Sequence, residues 1–188
     1  MKCIIKKAAI IVIAVVTMSM VAQAQVPSFN KGDNVVSVGV GIGGYYSGSF
    51  YSGSGVNRMP AISLYYENCV KDNLFDAKSS LGIGGMVGYT SAKWSNYWKT
   101  SHTTFGVRGA LHYALVNKLD TYTGLMLGYD VVSWKYYDTY YKSSGNAASD
   151  IAFSWFLGAR YYLTDTFAAF AEVGYGVANF NLGLTLKF

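Results

Sequence analysis

The sequence predicts an all-β chain: an eight-stranded antiparallel up-and-down transmembrane β-barrel after a cleaved N-terminal signal peptide. Three observations lead there. The first is strict period-two alternation over the last residues, where Phe180, Leu182, Leu184, Leu186 and Phe188 are apolar and Asn181, Gly183, Thr185 and Lys187 are small or polar. Such a segment is a strand with one apolar and one wet face. A flat apolar strand invites edge-to-edge aggregation unless closure of the sheet removes its edge. The second observation is that segments of this kind recur along the chain, divided by turn-like stretches. The third is how the residues sort: large apolar side chains share one parity, while glycines and charges share the other. That is the reverse of a soluble barrel such as a lipocalin, and it suits an outer face in lipid with a polar lumen.

The N-terminus is read separately. Lys2, Lys6 and Lys7 precede a nearly continuous apolar run from Ala8 to Met20, and Ala22-Gln23-Ala24 supplies the small-x-small pattern of a signal peptidase site. The run is shorter than the ~20 residues of a spanning helix. Cleavage is expected after Ala24, so 1–24 is a signal peptide, 25–33 a periplasmic N-terminal segment and 34–188 the barrel. Cys3 lies before the apolar core and is not a lipoprotein attachment site. Three of the 15 basic side chains fall in this leader, and the rest nearly balance 10 acidic ones, so the formal charge of +5 gives no case for nucleic acid. Beyond the leader, a composition of 52% apolar residues, 17 Tyr, 21 Gly and only 2 Pro occurs without a second long apolar run. Alternation disperses apolar residues in that way. Cys69 is left alone, without a partner for an internal disulfide, and is read as a tolerated small residue in a turn.

Eight strands are expected near 34–46, 59–68, 79–91, 102–115, 120–135, 149–162, 167–175 and 178–188. Connections after the second, fourth and sixth are mostly short and polar. Those after the first, third and fifth are longer and rich in Ser, Gly, Tyr and Trp, and the last is tight near Gly176. Val87-Gly88-Tyr89, Leu127-Gly128-Tyr129 and Val173-Gly174-Tyr175 form a weak repeat, each closing a rising strand with an amphipathic ring at the interface. Parity sends Ile151, Phe153, Trp155, Leu157 and Tyr161 outward, and Ala152, Ser154, Phe156, Gly158 and Arg160 inward.

With those segments, the Gly-Tyr strand ends and the terminal Phe188, the chain resembles the OmpA/OmpX-type eight-stranded outer-membrane barrels, the broad outer membrane protein beta-barrel domain family. The resemblance covers essentially all of 34–188. It implies a monomer in the outer membrane of a Gram-negative bacterium, surrounded by outer-membrane lipid and lipopolysaccharide. It also implies partners in biogenesis, the barrel-assembly machinery and periplasmic chaperones, with Phe180, Leu182, Leu184, Leu186 and Phe188 as the assembly signal. No peptidoglycan-binding domain is expected after the barrel, so that part of an OmpA-like role is not carried over.

The inward set includes Glu67, Arg108, His112, Arg160, Glu172 and Lys187, and charges in a low-dielectric lumen must pair or be hydrated. Two layers are expected: Arg108 with Glu172 near mid-barrel, and Glu67, His112, Arg160 and Lys187 below. Inward glycines are expected to leave small hydrated cavities. An eight-stranded barrel is about wide enough to be filled by side chains, so a structural or surface-binding role is the leading expectation and a narrow gated channel the alternative. Tyr46, Phe50, Tyr51, Trp94, Trp98, Trp134, Tyr137 and Tyr140 are candidates for binding an extracellular glycan or protein, because Tyr gives contact area at low entropic cost. The competing reading makes them an aromatic girdle with strand ends rising above lipid.

A lipid-modifying enzyme ranks third. His102 beside Ser101, with Asp130 on the next strand, is the sole hint of a triad, and adjacent strand residues face opposite ways. Gly39-Val40-Gly41-Ile42-Gly43-Gly44 matches G-x-G-x-x-G, but no helix follows, as a dinucleotide site requires. No cofactor and no metal site is expected.

Overall fold

The structure, a computed structural model, describes residues 29–44, 56–94, 98–137, 142–146 and 149–188. Its strands are β1 (Asn34–Ile42), β2 (Val56–Asp72), β3 (Ser79–Trp94), β4 (Trp98–Val116), β5 (Leu119–Tyr137), β6 (Lys142–Asn146), β7 (Asp150–Tyr162), β8 (Phe167–Tyr175) and β9 (Phe180–Lys187). Each barrel strand pairs antiparallel with its neighbour in sequence, and β1 pairs with β9, from Val35 opposite Lys187 to Ile42 opposite Phe180. Eight staves therefore close into a barrel. The expected signal peptide 1–24 and residues 25–28 of the segment 25–33 lie outside the described residues.

The alternation is realised in three dimensions. Along β7, Ala152, Ser154, Phe156, Gly158 and Arg160 are buried, and Ile151, Phe153, Trp155, Leu157 and Tyr161 are exposed. Around the barrel Val38, Leu64, Val107, Leu127 and Leu184 are each at least half exposed. A continuous belt of this kind needs a non-aqueous surrounding. Its lower margin carries Tyr66 and Tyr113, whose hydroxyls bond Asn34 Oδ1 (2.7 Å) and Asp76 Oδ2 (3.0 Å). Asp76 lies in the β2–β3 turn, where the Lys78 amide and the Tyr113 and Ser79 hydroxyls hold its carboxyl below the usual range.

The staves differ in length. β4 and β5 have 19 residues each and β2 17, whereas β8 has 9 and β9 8. At ~3.3 Å per residue and ~40° tilt, β9 rises about 20 Å and β4 about 50 Å. One wall therefore stops near the top of the belt, and the other continues as a sheet, extended by β6 along the upper part of β5.

That corrects three expectations. The connection after the third strand is not long: Trp94 pairs with Trp98, leaving only 95–97 between strands. β6 occupies part of the expected fifth connection. β2 runs to Asp72, so Cys69 sits on a strand, buried beside Phe29 and Val35, rather than in a turn.

Candidate functional site

The lumen is filled in layers, and glycine makes the layers possible. Glu67 on β2 and His112 on β4 are separated by β3, yet they meet across Gly82. A Cβ there would lie 2.0 Å from Glu67 Oε1. His112 Nε2 is 2.5 Å from Glu67 Oε1, and its Nδ1 is 2.9 Å from Asp120 Oδ2 on β5. Both contacts are hydrogen bonds only when the ring carries two protons. Arg160 on β7 closes the ring, with its terminal nitrogens 3.3 Å from Asp120 and 3.4 Å from Glu67. All four residues are at most 3% exposed. Two carboxylates against two cations leave this layer nearly neutral, as a dry interior demands.

Phe29 covers the ring from below. Its side chain is 1% exposed and its centroid lies 4.6 Å from that of His112. The segment is tied down by Gly32 N–H to the Cys69 carbonyl (3.0 Å) and by Cys69 N–H to the Asp33 carbonyl (2.9 Å).

Above the ring, Arg108 donates to Glu172 Oε2 (3.1 Å), which also accepts from the Tyr122 hydroxyl (3.0 Å). The Arg108 guanidinium stacks 3.9 Å from the Phe156 ring centroid and 4.6 Å from that of Tyr65. Tyr65 accepts from Asn181 on β9. Apolar Met86, Met126, Phe156 and Phe170 pack around this pair.

Large side chains from adjacent staves lie over several of the inward glycines, whereas Gly41 and Gly43 border a cavity at the upper end. A Cβ on Gly158 would sit 2.4 Å from the Tyr122 ring, one on Gly124 2.5 Å from Phe156, and one on Gly183 2.5 Å from Phe170. A mid-lumen void of about 30 Å³ beside Arg108 and Asn181 is roughly one water's share of liquid volume.

The structure thus brings together Glu67, His112 and Arg160, and separately Arg108 and Glu172. It does not bring Lys187 to them. Lys187 stands on the last rung of β9, where its ammonium reaches Asp33 (3.5 Å) at the lower rim. Asp120 and Tyr122 complete the layers and were missed. Their signal was available, since they share parity with inward Met126.

At the upper end the lumen opens into a cavity of about 470 Å³, lined by Arg58, Met59, Trp98, His102, Val132 and Val177 among others. Its lower side is formed by the β8–β9 turn folding inward. Gly43 and Gly44, at φ +76° and +107°, carry the chain past that turn, and a Cβ on Gly44 would meet the Val177 carbonyl oxygen at 2.2 Å. His102 Nδ1 contacts Asp130 Oδ2 (2.8 Å), and Thr104 donates to Asp130 Oδ1 (2.8 Å). Ser101 faces the other way, accepting from the Tyr89 hydroxyl (3.2 Å), so these three do not form a nucleophile–base pair.

Of the aromatic candidates, Trp98 lines this cavity. Trp134 lies on β5, 36% exposed, its ring against Gly145 of β6. Trp94 and Tyr137 end β3 and β5, and their side chains, with Tyr46, Phe50, Tyr51 and Tyr140, fall outside the described residues. Phe180, Leu182, Leu184, Leu186 and Phe188 all face outward on or beside β9 and are 39–66% exposed.

The chain matches no family model and no curated protein. Among solved structures it is similar to Ail, the attachment invasion locus protein of Yersinia pestis. The identity is 12%, over 84% of this chain and 99% of that one, with a TM-score of 0.52. Ail solved with the heparin analogue sucrose octasulfate gives 11% identity, the same shares and a TM-score of 0.53. The N-terminal β-barrel domain of Pseudomonas aeruginosa OprF gives 12% identity over 84% of this chain and 98% of that one, at 0.51. At such identities the likeness is one of fold. The chain is a closed eight-stranded membrane barrel with the OmpA/OmpX-like fold.

Proposed function

We propose that this protein is an outer-membrane barrel of a Gram-negative bacterium whose lumen is a rigid, side-chain-filled scaffold and whose tall wall is a surface for binding outside the cell. In this reading the upper end faces outward, the Phe29 end faces the periplasm, and the protein is a monomer and not an enzyme. The observation that carries it is the continuation of β2–β6 beyond the short staves, presenting Trp134 and Tyr136 at 36% and 41% exposure. Building so much sheet above the belt adds nothing to membrane anchoring, so it is read as binding surface. Aromatic side chains on a rigid frame bind with little loss of conformational entropy. An extracellular glycan or protein is the class of partner. Ail, with the same fold, was solved with a heparin analogue.

The test is capture of intact cells displaying the protein on a glycan array and on host-cell monolayers. Trp134→Ser with Tyr136→Ser is expected to abolish capture while leaving the heat-dependent gel shift of the folded barrel unchanged. Equal capture by parent and variant would overturn the surface-binding reading. The narrow-channel reading would need a path through the packed layers above Phe29.

A further inference from the structure

The outward face of the tall wall changes character in rows. Val87, Phe105 and Tyr129 stand side by side across β3, β4 and β5. The next row up is Tyr89, Thr103 and Val131, then Ser91, Ser101 and Ser133, then Lys93, Lys99 and Lys135. Three lysines thus sit directly opposite one another on adjacent strands, where like charges destabilise a sheet. Asn57 and Ser144 flank the row on β2 and β6. Among the described residues no carboxylate forms an ion pair with any of the three. Apart from the Tyr89 hydroxyl beside Lys99, the described residues set no counter-group against this like-charge row, which suits an anion bound from outside.

Its height says which anion. From Tyr113 at the lower margin to Thr103, β4 rises about 25 Å at ~3.3 Å per residue and ~40° tilt, the height of a barrel's apolar band. Lys99 lies four residues further up, about 10 Å above the band by the same reckoning. The headgroup zone adds roughly 5–8 Å on each side of the hydrocarbon, and lysine stems extend toward such a boundary while keeping their ammonium groups wet. The serine row between gives a polar passage from belt to ammonium groups.

We propose that Lys93, Lys99 and Lys135 form a docking stripe for the phosphate groups of a phosphorylated glycolipid in the outer leaflet. The stripe rests on the membrane orientation proposed above. It binds from the lipid side of the wall and is independent of Trp134 and Tyr136, which serve partners outside the membrane.

The experiment uses the full chain folded into phosphatidylcholine nanodiscs containing lipopolysaccharide, or the same lipopolysaccharide after phosphatase treatment. Lipid retained on the protein is quantified after detergent exchange. The parent is expected to retain at least tenfold more of the phosphorylated form. The triple variant Lys93→Gln, Lys99→Gln, Lys135→Gln is expected to lose that preference, and a control triple at the other end, Lys31→Gln, Lys71→Gln, Lys78→Gln, to keep it. In discs of phosphatidylcholine alone the upper triple should unfold at the same or a higher temperature than the parent, since it removes repulsion. Equal retention by parent and upper triple overturns the stripe, as does equal retention of the dephosphorylated lipid. Complete displacement by soluble heparin assigns the lysines to a free polyanion and also overturns it. The same samples run with and without boiling separate the two readings. Loss of the heat-dependent shift counts against the membrane barrel, whereas a normal shift without lipid preference counts against the stripe alone.

Discussion

The short wall, β7–β9 with β1, and the tall wall, β2–β5 with β6, obey the same alternation but use it differently. On the short wall every rung lies within the belt, and inward residues such as Phe156, Arg160, Phe170 and Glu172 carry the packing. On the tall wall the lower rungs match them, with Glu67, Arg108, His112 and Asp120 facing inward. Above Tyr89 the outward residues change from apolar to Ser and then Lys, and the inward ones line an open cavity. Period two fixes which way a side chain points, but the medium on each side decides which side chain is tolerated there. The lower rungs therefore hold the energy of the fold, and the upper rungs are free to serve contacts.

The largest expected effect is in the ring. Arg160→Met leaves Glu67 and Asp120 to share His112 alone, and removing one partner of a buried pair costs about 3–5 kcal/mol. Urea unfolding in lipid vesicles should show the lowered midpoint. Phe29→Ala should follow at about 3 kcal/mol, since it uncovers the ring and empties a fully buried site. A denaturation midpoint equal to the parent's would mean that Phe29 rests on the rim without packing. Gly158→Ala comes next, at about 1–3 kcal/mol, because its Cβ collides with the Tyr122 ring. The smallest effect is Trp134→Ser on the tall wall, within about 0.5 kcal/mol. A cost like that of Arg160→Met would erase the distinction between the walls.

The face of each strand was legible in the sequence because parity depends only on counting. Strand ends were not. Lys93 and Lys99 are polar residues that fall beyond the expected strands, and Lys135 is the last residue of the expected fifth; only pairing with neighbours carries the strands past them. The ring was legible in part: Glu67, His112 and Arg160 carry the right parity, and so does Asp120, which lies one residue inside β5. Nothing in parity shows that Lys187 turns away to Asp33, because the rim offers a nearer carboxylate to a long side chain. Phe29 lies outside any strand, so alternation is silent on it. That several of the inward glycines are covered depends on cross-strand register, which fixes which large neighbour lies over each one.

The central claim is that the barrel is filled from Phe29 up to the inward β8–β9 turn. Single-channel recording in planar bilayers tests it most directly, comparing the parent with Arg108→Ala, Glu172→Ala and Phe29→Ala combined. The parent is expected to show no conductance steps, and the triple variant to show small discrete ones once the packed layers are hollowed. Stable steps of equal size in parent and variant would contradict the filled lumen and leave the narrow channel as the better reading.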